Sequence, residues 1–337
     1  MKKFFFIIPN FNKTLTGGNL YDFNLYRELK NKHIPIKKIF INIKKKHTNL
    51  KIFSQISNLP IGSTLCIDGL LVPYLKNNIN IFCEKFDIIL LIHHPTTQEN
   101  SSYPLMNLKD YFLERIIFNK KLKIVTVSNY IKKELRKYLN KYKEIYVAEP
   151  GIEKIFFSKY AQKNTNNILS IGNVIPRKGY HILIEALSKV PGDWSLHIIG
   201  DFTLNQEYYE ELISKIRKFN LNKKVKFLGV IEKEKMLEYM RNSKIFVLPT
   251  LFEGYGMSLL EAAIMGIKVI TTDLPVLRES LKGKNVQFID HCKINNFSKA
   301  IEESLKQKPL SNKTIDKNIY SWKQTRKKFL EAINAKK

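Results

Sequence analysis

Only three cysteines, Cys66, Cys83 and Cys292, occur in 337 residues. They are odd in number and far apart, which argues against a disulfide framework and against a cysteine-based zinc site. The sequence also lacks an apolar run near the roughly 18 residues that a membrane-spanning helix needs. Its longest candidates, FFFIIP and FDIILLIHH, have the length of buried strands. The opening MKKFFFIIPN carries a short apolar stretch with no small-residue cleavage site behind it, so it reads as a first strand rather than a secretory leader. A reducing cytoplasm is the expected setting. Acidic residues are scarce as well, 30 Asp and Glu against 57 Lys and Arg, for a formal charge of +27. Such an excess attracts nucleic acid, an anionic membrane surface or phosphorylated ligands, although lysine, asparagine and isoleucine crowding ordinary surface positions is also what AT-rich coding produces.

Further absences narrow the chemistry. Neither half opens with G-x-G-x-x-G after its first strand, which argues against a dinucleotide-dependent oxidoreductase. The basic residues are not interleaved with aromatic platforms or a recognised binding motif, so nucleic acid is not expected as a partner. There is no Asp-x-Asp pair and no His-x-x-x-His spacing, so no metal and no other cofactor is expected.

What is present is an alternation of short apolar runs with longer amphipathic ones, the pattern of a doubly wound parallel sheet. It runs KKFFFIIP, a helix from about Asn19, IKKIFIN, GSTLCID, FDIILLIHH, a helix near Leu108 to Asn119, and KIVTVS. From Asn167 it begins again with NILSIG and continues through SLHIIGD, VKFLGV, IFVLPT and KVITTD, separated by helices at 179–189, 207–219, 233–240 and from Met257. The expected architecture is α/β: two Rossmann-like domains, 1–160 and 166–317, facing across a cleft. The polar, turn-rich end of EPGIEKIFFSKYAQKNTNN links them, and a helix over 320–335 within 318–337 packs back to brace both.

The segment FEGYGMSLLE, residues 252–261, places a glycine-rich turn between a buried strand and a helix that starts at about Met257. A helix start offers free N–H groups and a positive dipole end to an anion. Glu253 sits in the turn and Glu261 two helical turns later, and each carboxylate can accept two hydroxyl hydrogen bonds. A plain helix start with Ser258 and Glu261 as a capping box is the simpler use of the same residues. The segment GNVIPRKGYHILIEAL repeats the strand-loop-helix arrangement, with Arg177 and Lys178 placed to grip a diphosphate or merely to be solvated beside a turn. In the first half, Gly17 and Gly18 stand at the mouth of a helix, and His93 and His94 end a strand. In SNYIKKELRKYLNKYKE, Ile131, Leu135 and Leu139 share one helical face. Lys132, Lys133, Arg136, Lys137, Lys141 and Lys143 cover much of the rest, a pattern that suits either an anionic bilayer or a solvated face over a packed one. The Lys44 to Lys46 run is a similar candidate.

Glu253, Gly254, Tyr255 and Gly256, followed by Glu261 and Ala262, resemble the signature of the family 4 retaining glycosyltransferases, two glutamates with seven residues between them. The resemblance continues through Gly266 and the strand Val269 to Thr271. It implies the two-domain GT-B fold and transfer of a sugar from a nucleotide diphosphate-sugar with retention of anomeric configuration, without a metal. It further implies that Glu253 contacts the sugar and Glu261 the ribose. Arg177 and Lys178 would neutralise the leaving diphosphate, with Arg177 taking over from an arginine usual at the position of Asn173. By the same resemblance Gly17 and Gly18 lie against the donor phosphates, as do the N–H groups near Met257 and Ser258. Val230 and Ile231, with Gly229, hold the base through backbone groups, and His93, in preference to His94, lies near the transferred sugar. Asp68 to Leu70, the HHP run and Glu99 are similar to bacterial members that glycosylate diacylglycerol. The expected enzyme therefore moves a hexose or hexuronic acid from a UDP-sugar to a lipid acceptor, making a glycoglycerolipid at the inner face of the cell membrane. Lys132, Lys133, Arg136 and Lys137 would meet the anionic membrane surface there. Synthesis of lipopolysaccharide or a surface polysaccharide is the alternative, and a basic nucleic-acid-binding protein the distant one.

Overall fold

The computed structural model describes residues 3–10, 16–43, 48–95, 115–137, 139–141, 143–157, 165–307 and 320–335. The chain divides into two compact units, one of residues 1–151 with 318–337 and the other of residues 152–317.

In unit 1, six strands form one parallel sheet: β1 (Phe4–Pro9), β2 (Ile36–Ile41), β3 (Thr64–Asp68), β4 (Asp87–Ile92), β5 (Lys123–Thr126) and β6 (Ile145–Val147). Their order across the sheet is β2-β1-β3-β4-β5-β6. The central strands FFFIIP and TLCID are buried along their whole length, as a sheet covered on both faces requires, so they read as continuous apolar runs. The edge strand IKKIFI, exposed at Lys37 and Phe40, does not. Helices α1 (Gly17–Lys30), α2 (Thr48–Ser57), α3 (Ile79–Lys85) and α4 (Asn129–Arg136) make the crossovers. Thr16 caps α1 by accepting from the Asn19 amide at 3.2 Å, a standard use of a threonine before a helix. The helix expected near 108–119 lies outside the described residues up to 114, and only its end at 115–118 is seen.

Unit 2 repeats the design with β7 (Asn167–Ile171), β8 (Ser195–Ile199), β9 (Val225–Gly229), β10 (Ile245–Leu248), β11 (Lys268–Thr272) and β12 (Val286–Ile289). All pairings are parallel, in the order β12-β11-β10-β7-β8-β9. Its helices are α5 (Tyr180–Leu187), α6 (Gln206–Lys218), α7 (Lys233–Arg241), α8 (Met257–Ile264), α9 (Pro275–Ser280) and α10 (Ile294–Lys306).

The last helix, α11 (Trp322–Asn334), belongs to unit 1. Phe329 stacks on Phe4 with ring centroids 6.3 Å apart, Trp322 meets Tyr21 edge-on at 5.5 Å, and Arg326 pairs with Glu28 at 2.9 Å. The Lys123 ammonium donates to the carbonyls of Ala332, Ile333 and Ala335 at 2.7 to 3.1 Å. Those are among the carbonyls a helix end leaves without an internal partner, and a cation suits that end of the dipole.

Each sheet reverses its strand order once, between β1 and β3 in unit 1 and between β7 and β10 in unit 2. The carboxyl ends of strands at such a reversal are where open α/β sheets bind ligands.

Candidate functional site

In unit 2 the reversal is flanked by two loops, one after β7 and one after β10, and their contacts lock them together. Leu251 donates its amide to the Arg177 carbonyl at 2.7 Å, and Thr250 Oγ1 lies within 3.2 Å of the carbonyls of Arg177 and Phe252. Gly179 makes this approach possible. Its φ is +70°, a left-handed value that favours glycine, and a Cβ there would collide with the carbonyl of Pro249.

The approach delivers Lys178 to Glu253, Nζ to Oε1 at 2.6 Å, and sets Arg177 Nη1 3.8 Å from Oε2 while it donates to the Phe252 carbonyl at 2.9 Å. Glu253 is 7% exposed. Burial alone pushes its carboxyl up, but Lys178 and then Arg177 pull it below the usual carboxylate range, so it is ionised at neutral pH. Two cations and one anion at a helix start leave net positive charge, the complement of a diphosphate.

Helix α8 begins at Met257 with Gly256 as its N-cap, at φ +85° and with no side-chain cap. The capping box open to Ser258 and Glu261 is thus not how this helix starts. Ser258 instead donates Oγ to the Ile171 carbonyl at 3.0 Å, tying α8 to the end of β7. Gly254 is partly open, while Tyr255 is buried. Glu261, half-buried, has a carboxyl raised to about 8, first by burial and then by Glu153, with Lys233 opposing. Glu153 and Lys233 form an ion pair of their own. Asn173, at the end of β7, accepts from the Asp201 amide at 3.3 Å and so braces the neighbouring loop. Val230 is 55% exposed and Ile231 half-exposed beyond β9, leaving backbone there open to a ligand.

In unit 1 the reversal gathers a different set. His93, just past β4, points Nε2 at Asp22 Oδ1, 3.1 Å away on α1, and at Asp68 Oδ2, 3.5 Å away at the end of β3. Gly18 lies one turn before Asp22 and gives the ring its space, since a Cβ there would come within 3.0 Å of His93 Cδ2. Gly17, by contrast, is exposed with nothing within 4 Å of such a Cβ. Burial pulls His93 down, but Asp22 and then Asp68 lift it to about 10. His94 is half-buried next to it. The ligand atoms of Asp22, Asp68 and His93 lie within 4.8 Å of one another, a cluster that could hold a metal and that no local spacing in the sequence announces. Asp290, His291 and Cys292 form a second such group, but they are exposed chain neighbours.

Sequence reading therefore missed Asp22. Its signal was the step of four from Gly18, which puts both on one face of α1. On α4, Ile131 and Leu135 are fully buried, and Leu139, which lies beyond the end of the helix, is 8% exposed, so the face that an interfacial helix inserts is already packed. Arg136 donates to the Lys141 carbonyl at 3.3 Å, Lys137 pairs with Glu134 at 2.7 Å, Lys132 is half-buried and Lys133 exposed. Lys44 to Lys46 and Glu99 lie outside the described residues. No helix among the described residues is long and apolar enough to cross a membrane.

Residues 151–322 match the sequence model of a family described as glycosyl transferases group 1. The chain is 30% identical over 208 residues to an uncharacterised glycosyltransferase of Methanocaldococcus jannaschii, covering 61% of this chain and 55% of that one. It is 29% identical over 202 residues to a Campylobacter jejuni enzyme named as an N-acetylgalactosaminyltransferase acting on a diphospho-undecaprenol-linked saccharide, covering 60% and 48%. The chain thus spans about half the length of these relatives. Among solved structures, HepE of Anabaena in complex with UDP and glucose superimposes with a TM-score of 0.74 at 16% identity, over 98% of this chain and 99% of that one. That likeness shows a two-domain GT-B fold.

Proposed function

Because the chain belongs to the glycosyl transferases group 1 family, we propose that it transfers a sugar from a nucleotide diphosphate-sugar, with UDP as the carrier, to an acceptor hydroxyl. The observation that carries this is the cluster of Lys178, Arg177 and Glu253 at the strand-order reversal of unit 2. Its cations would take the diphosphate, the α8 N-terminus would add its dipole, and Glu253 would accept from hydroxyls of the sugar. Glu261 would receive the ribose, and Val230 and Ile231 would meet the base through their backbone. The HepE structure in complex with UDP and glucose supports UDP as the carrier.

In the reaction the bond from the anomeric carbon to the diphosphate breaks, and the electron pair leaves with UDP. The acceptor oxygen bonds to that carbon on the same face, and its proton passes to the departing phosphate oxygen. Lys178 and Arg177 stabilise the charge that develops there, so this chain's own cations do the work that a metal does elsewhere.

For the acceptor, a saccharide built on a lipid carrier is favoured by the Campylobacter jejuni relative, whose name specifies one. Diacylglycerol, giving a glycoglycerolipid at the membrane surface, is the second reading and rests on Asp68 to Leu70 and the following histidines. The deciding experiment incubates the purified protein with a panel of UDP-sugars and either acceptor class and identifies products by mass spectrometry, with Glu253→Ala as control. Product from neither class, or unchanged transfer by Glu253→Ala, would overturn the reading.

A further inference from the structure

The two carboxylates around His93 reach it from separate elements, α1 and β3, yet converge on the same nitrogen. Asp22 and Asp68 are 2% and 1% exposed. Asp68 Oδ1 accepts from the Leu70 amide at 2.7 Å, whereas its Oδ2 is buried with no hydrogen-bond partner among the described residues. A buried carboxylate oxygen in that state needs a positive neighbour, and the His93 ring is the group beside it. An ionised carboxylate can only accept, so Nε2 must carry hydrogen. The ring is also fixed in place. Tyr21 meets it edge-on with centroids 5.1 Å apart, and Tyr21 is itself anchored by its hydroxyl donating to the Ala148 carbonyl at 2.7 Å. The His93 side chain keeps 11% of its surface open, and its second nitrogen, Nδ1, bonds to none of the described residues.

We propose that Asp22 and Asp68 are positioning residues that hold His93 as a permanent imidazolium, making its Nδ1–H a fixed hydrogen-bond donor to an oxygen of the bound ligand. His93 then cannot serve as a proton acceptor. The remaining titratable neighbours fit this arrangement. Burial, and then the nearby acids, push the Tyr21 hydroxyl and the Cys66 thiol well up, so both stay neutral. Burial and then Asp68 raise Asp22, while His93 keeps Asp68 low against its own burial. The identity of the ligand rests on the proposed nucleotide-sugar reading, but the charge state of the ring does not.

The test is nitrogen-15 NMR of the full chain with labelled histidine, its His93 signals assigned by their loss in His93→Gln. In the unliganded wild type both ring nitrogens of His93 should remain protonated from pH 6 to 9, where an ordinary histidine loses its charge near pH 6.5. Asp22→Asn should lower the His93 titration by about 2 units, the scale on which one close carboxylate acts. A wild-type ring carrying a single N–H at pH 7.5 overturns the proposal, as does a folded Asp22→Asn protein with unchanged titration. So does displacement of the Nε2 proton by stoichiometric zinc or manganese at neutral pH, the sign of a metal site. If Asp22→Asn does not fold, the wild-type titration decides alone. A shift of the Nδ1–H signal with UDP-glucose but not UDP would assign the contact to a sugar hydroxyl, and a shift with both to a phosphate oxygen. No shift with either, in protein shown by calorimetry to bind UDP-glucose, would refute the donor role. Absence of binding would instead strike the proposed function and leave the charge state standing.

Discussion

Lys178 and Glu253 stand 75 positions apart in the chain, yet their side chains meet at 2.6 Å on two loops held at a fixed spacing. Removing the ammonium leaves a carboxylate that is 7% exposed and whose nearest described cation is then Arg177, 3.8 Å away. Lys178→Met should therefore cost about 3–5 kcal/mol of stability at neutral pH, the usual consequence of stripping one partner from a buried pair. Glu253→Gln combined with Lys178→Met should recover part of that loss, because the orphaned charge is gone. Urea unfolding of the two single variants and the double variant would check it. Strict additivity would mean that the pair is not coupled.

The same pair sets an acid limit. Glu253 titrates below its ordinary value in the folded protein, so its contribution is present above the unfolded carboxylate value and fades as pH falls through the folded one. Lys178→Met should flatten the acid side of a stability-versus-pH profile.

Glu261 runs the opposite way. Its carboxyl is raised to about 8, so between the ordinary glutamate value and pH 8 the folded chain holds a proton that the unfolded chain has released. Stability from this group therefore falls as pH rises through that window. Glu261→Gln, which cannot ionise, should melt several degrees higher than wild type at pH 9 and nearly the same at pH 5. If the ionised form is the one that accepts from ribose, UDP affinity should rise by up to about tenfold per pH unit below 8, and Glu261→Gln should lose that dependence. Calorimetry at pH 6, 7 and 8 reads both.

Gly179→Ala is expected to unfold or loosen the loop pair, since its φ of +70° and the adjoining Pro249 carbonyl both oppose a side chain. A cost above about 2 kcal/mol is the scale of combined backbone strain and collision. Nucleotide binding should fall with it. A variant with wild-type stability would mean that the two loops can part.

On α4, the apolar positions and the basic ones should separate by assay. Leu135→Ala should destabilise the fold by about 2–5 kcal/mol, the range for a buried leucine, without changing adsorption to anionic vesicles in protein that remains folded. Neutralising Lys132, Lys133, Arg136 and Lys137 should do the reverse. Each basic group near an anionic surface contributes about 1 kcal/mol, and vesicle sedimentation at low and high salt would show it. Vesicle binding that persists at high salt would require an inserted apolar surface other than this face.

The long buried strands were legible because a parallel sheet covered on both faces writes itself as an apolar run, as FFFIIP and FDIILLIHH do. The short edge strands β6 and β12 were not, since IYV and VQFI are partly open to solvent and too brief to show a period. The glutamates of FEGYGMSLLE and the Arg177–Lys178 pair were legible because loop-helix junctions carry glycine punctuation. Asp22 and Asp68 as partners of His93 were not, because only the strand order brings positions 22, 68 and 93 together. Ser258 shows the opposite failure. Its spacing from Glu261 fits a capping box, but the glycine before the helix already sets the start, and the hydroxyl goes to a neighbouring strand.

The latch of Lys123 onto the carbonyls that end α11 has a consequence for biosynthesis. Unit 2 is continuous in the chain, whereas unit 1 needs residues 318–337 to cover Phe4 and Tyr21. Unit 2 can therefore complete its fold from one continuous segment, while unit 1 waits for α11 with an apolar sheet face uncovered. A released chain truncated at residue 317 should yield a protease-resistant fragment from unit 2 alone, and protection of unit 1 should appear only in the chain that carries α11.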